Sequence, residues 1–183
     1  CLGVKTVTLV ASSPCSAVTI SITTAVVNTT PCTTPTNNGS ITVTATGSTG
    51  FTYNKNGGAY QTSNLFSSLA AASYTIGVKD GNGCTASATV AVGVVPRGPL
   101  FSQMRNLITT RCSNGNGCHM NGGNKAGYNF DNDCSIVTSW SAINGSCITG
   151  TLTTMPISPQ QPLTNAEKQI IINWIAAGHR FTD

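Results

Sequence analysis

Chemistry in this chain of 183 residues concentrates in one short stretch, Arg111-Cys112-Ser113-Asn114-Gly115-Asn116-Gly117-Cys118-His119. A Cys–His pair preceded at short range by another Cys is the arrangement of covalent haem attachment. Two thiols add across the vinyl groups of the macrocycle, and the imidazole beside the second thiol reaches the iron. The usual interval between the cysteines is two residues, and here it is five. The intervening Ser, Asn and Gly are residues that loop out readily. An ordinary Cys112–Cys118 disulfide with His119 on the surface is the competing reading. Zinc is the weaker alternative, because His179 is the only other histidine and no second Cys pair has ligand spacing.

The elements that must position these groups have helical period. Pro99, Leu100, Phe101, Met104, Leu107 and Ile108 lead into Cys112, with Gly98-Pro99 as a helix entry. Thr164-Asn165-Ala166-Glu167 has capping-box spacing. The stripe Ile170, Ile171, Trp174, Ile175 and Ala177 follows, and Gly178 stops it. Between these helices lies a long run rich in Gly, Asn and Ser, with one shorter helical piece expected at Ser135–Ile143.

The first half has a different period. Val18–Ile22 and Ile41–Ala45 alternate apolar with polar residues, as half-buried strands do. Asn54-Lys55-Asn56-Gly57-Gly58 and Asp80-Gly81-Asn82-Gly83 are hairpin turns between further strands. Residues 1–96 hold only four charges, Lys5, Lys55, Lys79 and Asp80, while 97–183 hold the other ten. The joint falls at Val94-Val95-Pro96-Arg97-Gly98-Pro99. The expected organisation is therefore a leading segment 1–13, a small β-sandwich 14–96 and a helical domain 97–183.

Two resemblances sharpen this. The helix entering Cys112…Cys118-His119, the Met155-Pro156 step and the closing helix with Trp174 resemble a small monohaem cytochrome c over about residues 98–181. That resemblance implies an all-α domain with one covalent haem c, attached at Cys112 and Cys118. It also implies axial ligation by His119 and Met155, and Phe101 packed against Trp174 where the first and last helices cross. Val137, Trp140 and Ile143 are the further expected pocket walls. Met104 belongs to a packing helix and Met120 is too near His119 to reach the opposite face, which leaves His179 as the rival to Met155. Gly39–Ala45, Leu69–Ile76 and Asp80–Ala86 resemble the Ig-like repeat of gliding-bacterium surface adhesins (SprB-like) over roughly residues 30–93. That repeat implies a structural or adhesive module and a Cys32–Cys84 bridge. Cys134 and Cys147 bracket a helix-sized segment and form a further candidate pair. The partner of Cys15 stays open, Cys1 among the options.

Composition bounds the function. Only 8% of residues are charged and the net charge of +4 is scattered, so no nucleic-acid surface is expected. No apolar run has the length of a membrane span. Eight cysteines in a low-charge chain point to an oxidising, exported setting. A chain starting on Cys1 reads as lipid-anchored, which places it in a bacterial cell envelope, at the outer membrane or the periplasmic face. The expected function is single-electron transfer through one haem, without enzymatic turnover, to a redox partner protein or within a larger membrane-associated assembly. The alternative is a structural or adhesive surface lipoprotein without a redox role. A haem enzyme of peroxidase type ranks third, since it needs acid–base groups at an open site.

Overall fold

Alternating residues build the β-structure of the first half. Strands β1 (Ser21–Val27), β2 (Gly39–Thr46) and β4 (Leu65–Leu69) form one antiparallel sheet in the order β1-β2-β4. Strands β3 (Thr52–Lys55), β5 (Ala72–Lys79) and β6 (Thr85–Val92) form a second, in the order β3-β5-β6. On β2, Ile41 and Val43 are fully buried, while Thr42 between them is only half-buried. Ile76 and Val78 are likewise fully buried on β5. Each such side chain taken from water stabilises the fold by roughly 1.5–3 kcal/mol. With Phe66, Leu69, Tyr74, Val90 and Val92 they make one apolar core.

The computed structural model describes residues 15–16, 18–112, 119–124, 126–152, 155–156 and 161–183. The chain divides into two compact units. The first comprises Cys1–Asn28 and Gly39–Gly93, and the second Thr29–Asn38 and Val94–Asp183. The connection between β1 and β2 is thus largely part of the second unit, which no residue pattern there announces. Within that connection the Asn38 side chain closes a turn, accepting from the Thr30 N–H at 2.8 Å and donating to the Thr30 carbonyl at 3.2 Å.

This excursion overturns the expected Cys32–Cys84 pairing. Cys84 is bridged to Cys15, and Cys32 to Cys134. Cys32 lies in the Thr29–Asn38 segment that belongs to the second unit, while Cys84 is bridged within the first unit to Cys15, ahead of β1. Cys134–Cys147 does not form either. The bridges close separations of 69 and 102 residues, each worth about 4–5 kcal/mol in the chain-entropy account. Two three-stranded antiparallel sheets are compatible with an Ig-like fold.

The second unit corrects a larger expectation. It contains α1 (Pro99–Cys112), α2 (Asp133–Thr138), α3 (Trp140–Asn144), a π-helical turn (Gly145–Thr149) and α4 (Asn165–Ala177). Four short helices joined by irregular chain are not an all-α cytochrome c-like domain, and the protein as a whole mixes sheets with helices. The single helical piece expected at 135–143 is broken at Ser139, whose φ of −93° and ψ of 12° leave the helical region. The physical reason lies in composition: Asn, Ser and Asp side chains bond to nearby backbone and compete with the helix ladder.

What helix there is packs well. Phe101, Met104, Leu107 and Ile108 of α1 are buried with Ile136, Ile143, Ile171 and Trp174 in one core. The N-terminus of α1 is closed by the chain's own end, because the Gly98 N–H donates to Phe181 O and the Phe101 N–H to Asp183 O, each at 3.0 Å. At α4 the capping box is complete, with Thr164 and Glu167 satisfying each other's backbone N–H. Gly178, at φ 119°, ends the helix in the left-handed region.

Two measurements check this fold. Non-reducing peptide mapping should recover Cys15–Cys84 and Cys32–Cys134, and a Cys32–Cys84 peptide would refute the arrangement. Asp80 accepts from the Ser48 hydroxyl at 2.6 Å and from the N–H of Cys84 and Asn82. The Ser48 bond first, then these backbone donors, holds its carboxyl below the usual range. A lowered carboxyl contributes stability above its unfolded pKa, and that contribution is lost as pH falls through the folded value. Denaturation of wild type below about pH 4 should therefore be steeper in pH than that of Asp80→Asn.

Candidate functional site

His119 emerges from the segment after α1 and is 9% exposed. Its backbone N–H donates to the carbonyl of Cys112 at 3.3 Å, which returns the chain to the C-terminal end of the helix. Nδ1 lies 3.0 Å from the carbonyl oxygen of Tyr128. A carbonyl only accepts, so Nδ1 carries the proton and Nε2 carries the lone pair. The ring rests beside Phe130, with centroids 5.1 Å apart. A buried imidazole fixed in one tautomer by a backbone carbonyl is the arrangement in which a histidine serves as a metal ligand.

The loop that supplies this carbonyl is held by polar bonds. Asp131 accepts from the N–H of Asn121 at 2.6 Å, the N–H of Gly122 at 2.9 Å and the side chain of Asn129 at 2.9 Å. The Asn129 amide, followed by those two N–H groups, holds the Asp131 carboxyl below the usual carboxylate range. Arg105 on α1 donates to the carbonyls of Phe130 and Asp131. None of Arg105, Tyr128, Asn129 and Asp131 stood out in the sequence. The readable signal was the Asn-Gly and Asn/Asp content of residues 121–131, which marks side-chain-to-backbone bonding in turns.

The other expected site residues are distributed as follows. Phe101 and Trp174 are both fully buried, with ring centroids 5.9 Å apart and planes tilted by 51°. Phe181 joins them at 5.2 Å from Phe101, and the Trp174 indole N–H donates to Arg180 O. Ile143 is buried in the same core, while Val137 and Trp140 pack at its margin. Trp140 stacks face to face with His179, at 4.3 Å and 10°, so the rival ligand is engaged in an aromatic contact. Met155 is half-buried, and its N–H donates to Ser146 O in the π-helical turn at 3.2 Å. Cys118 and Cys1 lie outside the described residues. Among the described residues, no three His, Cys, Asp or Glu side chains gather as a metal site would require.

The comparisons with known proteins are uniformly negative: no family model, no curated protein and no solved structure matches this chain. With the irregular second unit and the altered cysteine pairing, that corrects both resemblances. Membership in the cytochrome c family, and in the adhesin-repeat family, is not carried by the fold.

Cys147 sits in the π-helical turn outside any disulfide. Burial pushes its thiol up to about 11, against a smaller opposing pull from Lys168. The thiol is therefore protonated at neutral pH and a poor nucleophile. Iodoacetamide at pH 7.5 should label Cys147 at least tenfold more slowly in the native protein than in denaturant. Equal rates would show that the thiol is not buried.

Proposed function

We propose that the second unit binds one haem covalently and passes single electrons through it. The carrying observation is the Nδ1–H bond from His119 to the Tyr128 carbonyl, which leaves Nε2 as the donor nitrogen. The fit of the remaining donors supports the reading. Cys112 closes α1 and its carbonyl accepts from the His119 N–H, so the two residues' backbones lie side by side. His119, Cys112 and the soft thioether of Met155 are the donor types that haem c takes.

Bound haem supplies a reversible couple between ferric and ferrous iron. This chain's residues would supply the rest. Cys112 and Cys118 would fix the macrocycle by thioether bonds, and His119 and Met155 would supply the donor atoms that hold the iron. The apolar residues around α1 and α4 would keep water out, which lowers the reorganisation that accompanies a change of charge. The low net charge suits docking to a fixed partner rather than long-range steering. Two disulfides favour an oxidising compartment.

A structural role is the second reading for the first unit. Its one described carboxylate, Asp80, is wholly engaged in its turn, so that unit acts as a carrier or adhesive module.

The pyridine haemochrome assay on native protein tests the proposal. One haem per chain, resistant to acid acetone, is expected, and Cys118→Ala should abolish its attachment. Met155→Ala should retain haem, lose the sulfur-to-iron charge-transfer band of the ferric form and lower the potential. Native protein without haem would overturn the proposal.

A further inference from the structure

His119 is held by a backbone carbonyl, and a carbonyl orients an imidazole only if its own loop cannot move. Residues 119–124 and 126–131 are irregular, and Tyr128 at 37% exposure lends them little packing. The loop is instead closed by polar side chains, none of which the haem chemistry uses.

We propose that Asp131, Arg105 and Asn129 are positioning residues that set the tautomer of His119 by locking this loop shut. Asp131 spans the loop, since its two oxygens bind the N–H of Asn121 and of Gly122, ten and nine residues earlier. Asn129 doubles the closure: its side chain donates to Gly123 O and to Asp131, and accepts from the Asp131 N–H. Arg105 fastens the closed loop to α1 through the Phe130 and Asp131 carbonyls, and is itself braced by Asp133 at 3.5 Å. Phe130, 5% exposed, donates its N–H to His119 O and lays its ring beside the imidazole. The carbonyl two residues before Phe130 is thereby fixed over Nδ1.

The consequence is chemical. A neutral histidine side chain in water favours the proton on Nε2, which blocks the nitrogen that reaches outward from the side chain. The locked loop reverses that preference before any ligand arrives. The purpose assigned to this rests on the haem reading; the tautomer itself does not.

The test therefore uses the full chain purified without haem and labelled with 15N. Long-range 1H–15N spectra distinguish the two ring nitrogens of His119, with His179 as internal reference. Wild type should give a single Nδ1–H form. Arg105→Gln and Asp131→Ala should each lose it, giving a mixture with at least half Nε2–H. Asp131→Asn, which keeps one acceptor oxygen, should lose less. Thr164→Ala, which removes the α4 cap remote in sequence from the loop, should lower the melting temperature and leave His119 unchanged. A mixture in wild type, an unchanged spectrum in Arg105→Gln and Asp131→Ala, or the same mixture in Thr164→Ala would each overturn the assignment. Absence of haem from native protein would sink the proposed function and leave these spectra where they are.

Discussion

The second unit depends on satisfying backbone polar groups without regular structure to do it. Helix and sheet ladders pair N–H and C=O automatically, and irregular chain does not. Here the work passes to a few side chains. Arg105 holds two carbonyls of the 119–131 loop, Arg111 holds those of Gln161 and Pro162 before α4, and Asp131 holds two N–H groups. In a chain with so few charges, most of those in this unit are bound to main chain or to one another. Arg97 and Arg105 share Asp133, and Arg111 reaches Glu167 within the α4 capping box.

The two units solve the same problem in opposite ways. The first relies on strands, where period-two burial and ladder pairing coincide, and its one described carboxylate is spent on a turn. The second has a strong apolar centre, with Phe101 against both Trp174 and Phe181, surrounded by chain that side-chain bonds help keep in place. A rigid centre with a polar, bond-held periphery suits a site whose key imidazole sits at the boundary between them.

Much of the local structure was legible. The α4 capping box, its Gly178 stop, the entry of α1 at Pro99 and the alternating strands all follow from short-range rules, and these elements formed as their residues dictate. What failed was long-range. Cysteine pairing depends on where segments travel, and nothing in residues 29–38 announces that they leave the β-unit. The all-α expectation failed because two good helices at the ends of a segment say little about the Gly- and Asn-rich chain between them. At the site, His119 was read from its neighbours in sequence. Its actual supports, Tyr128 and Asp131, were invisible because a backbone carbonyl has no sequence signature and an Asp in a loop has many uses.

The Cys32–Cys134 bridge also constrains the order of events as the chain is made. Cys15, Cys32 and Cys84 are all available for oxidation while Cys134 is still to come, a separation of 102 residues from its partner. Six cysteines precede Cys134, and a bond from Cys32 to any of the other five is wrong. Either Cys32 is withheld by the turn that Asn38 closes on Thr30, or mispaired bonds must be reshuffled once the second unit arrives. In the second case maturation of this protein depends on thiol–disulfide exchange, which mispaired bonds need in order to reach the final pairing.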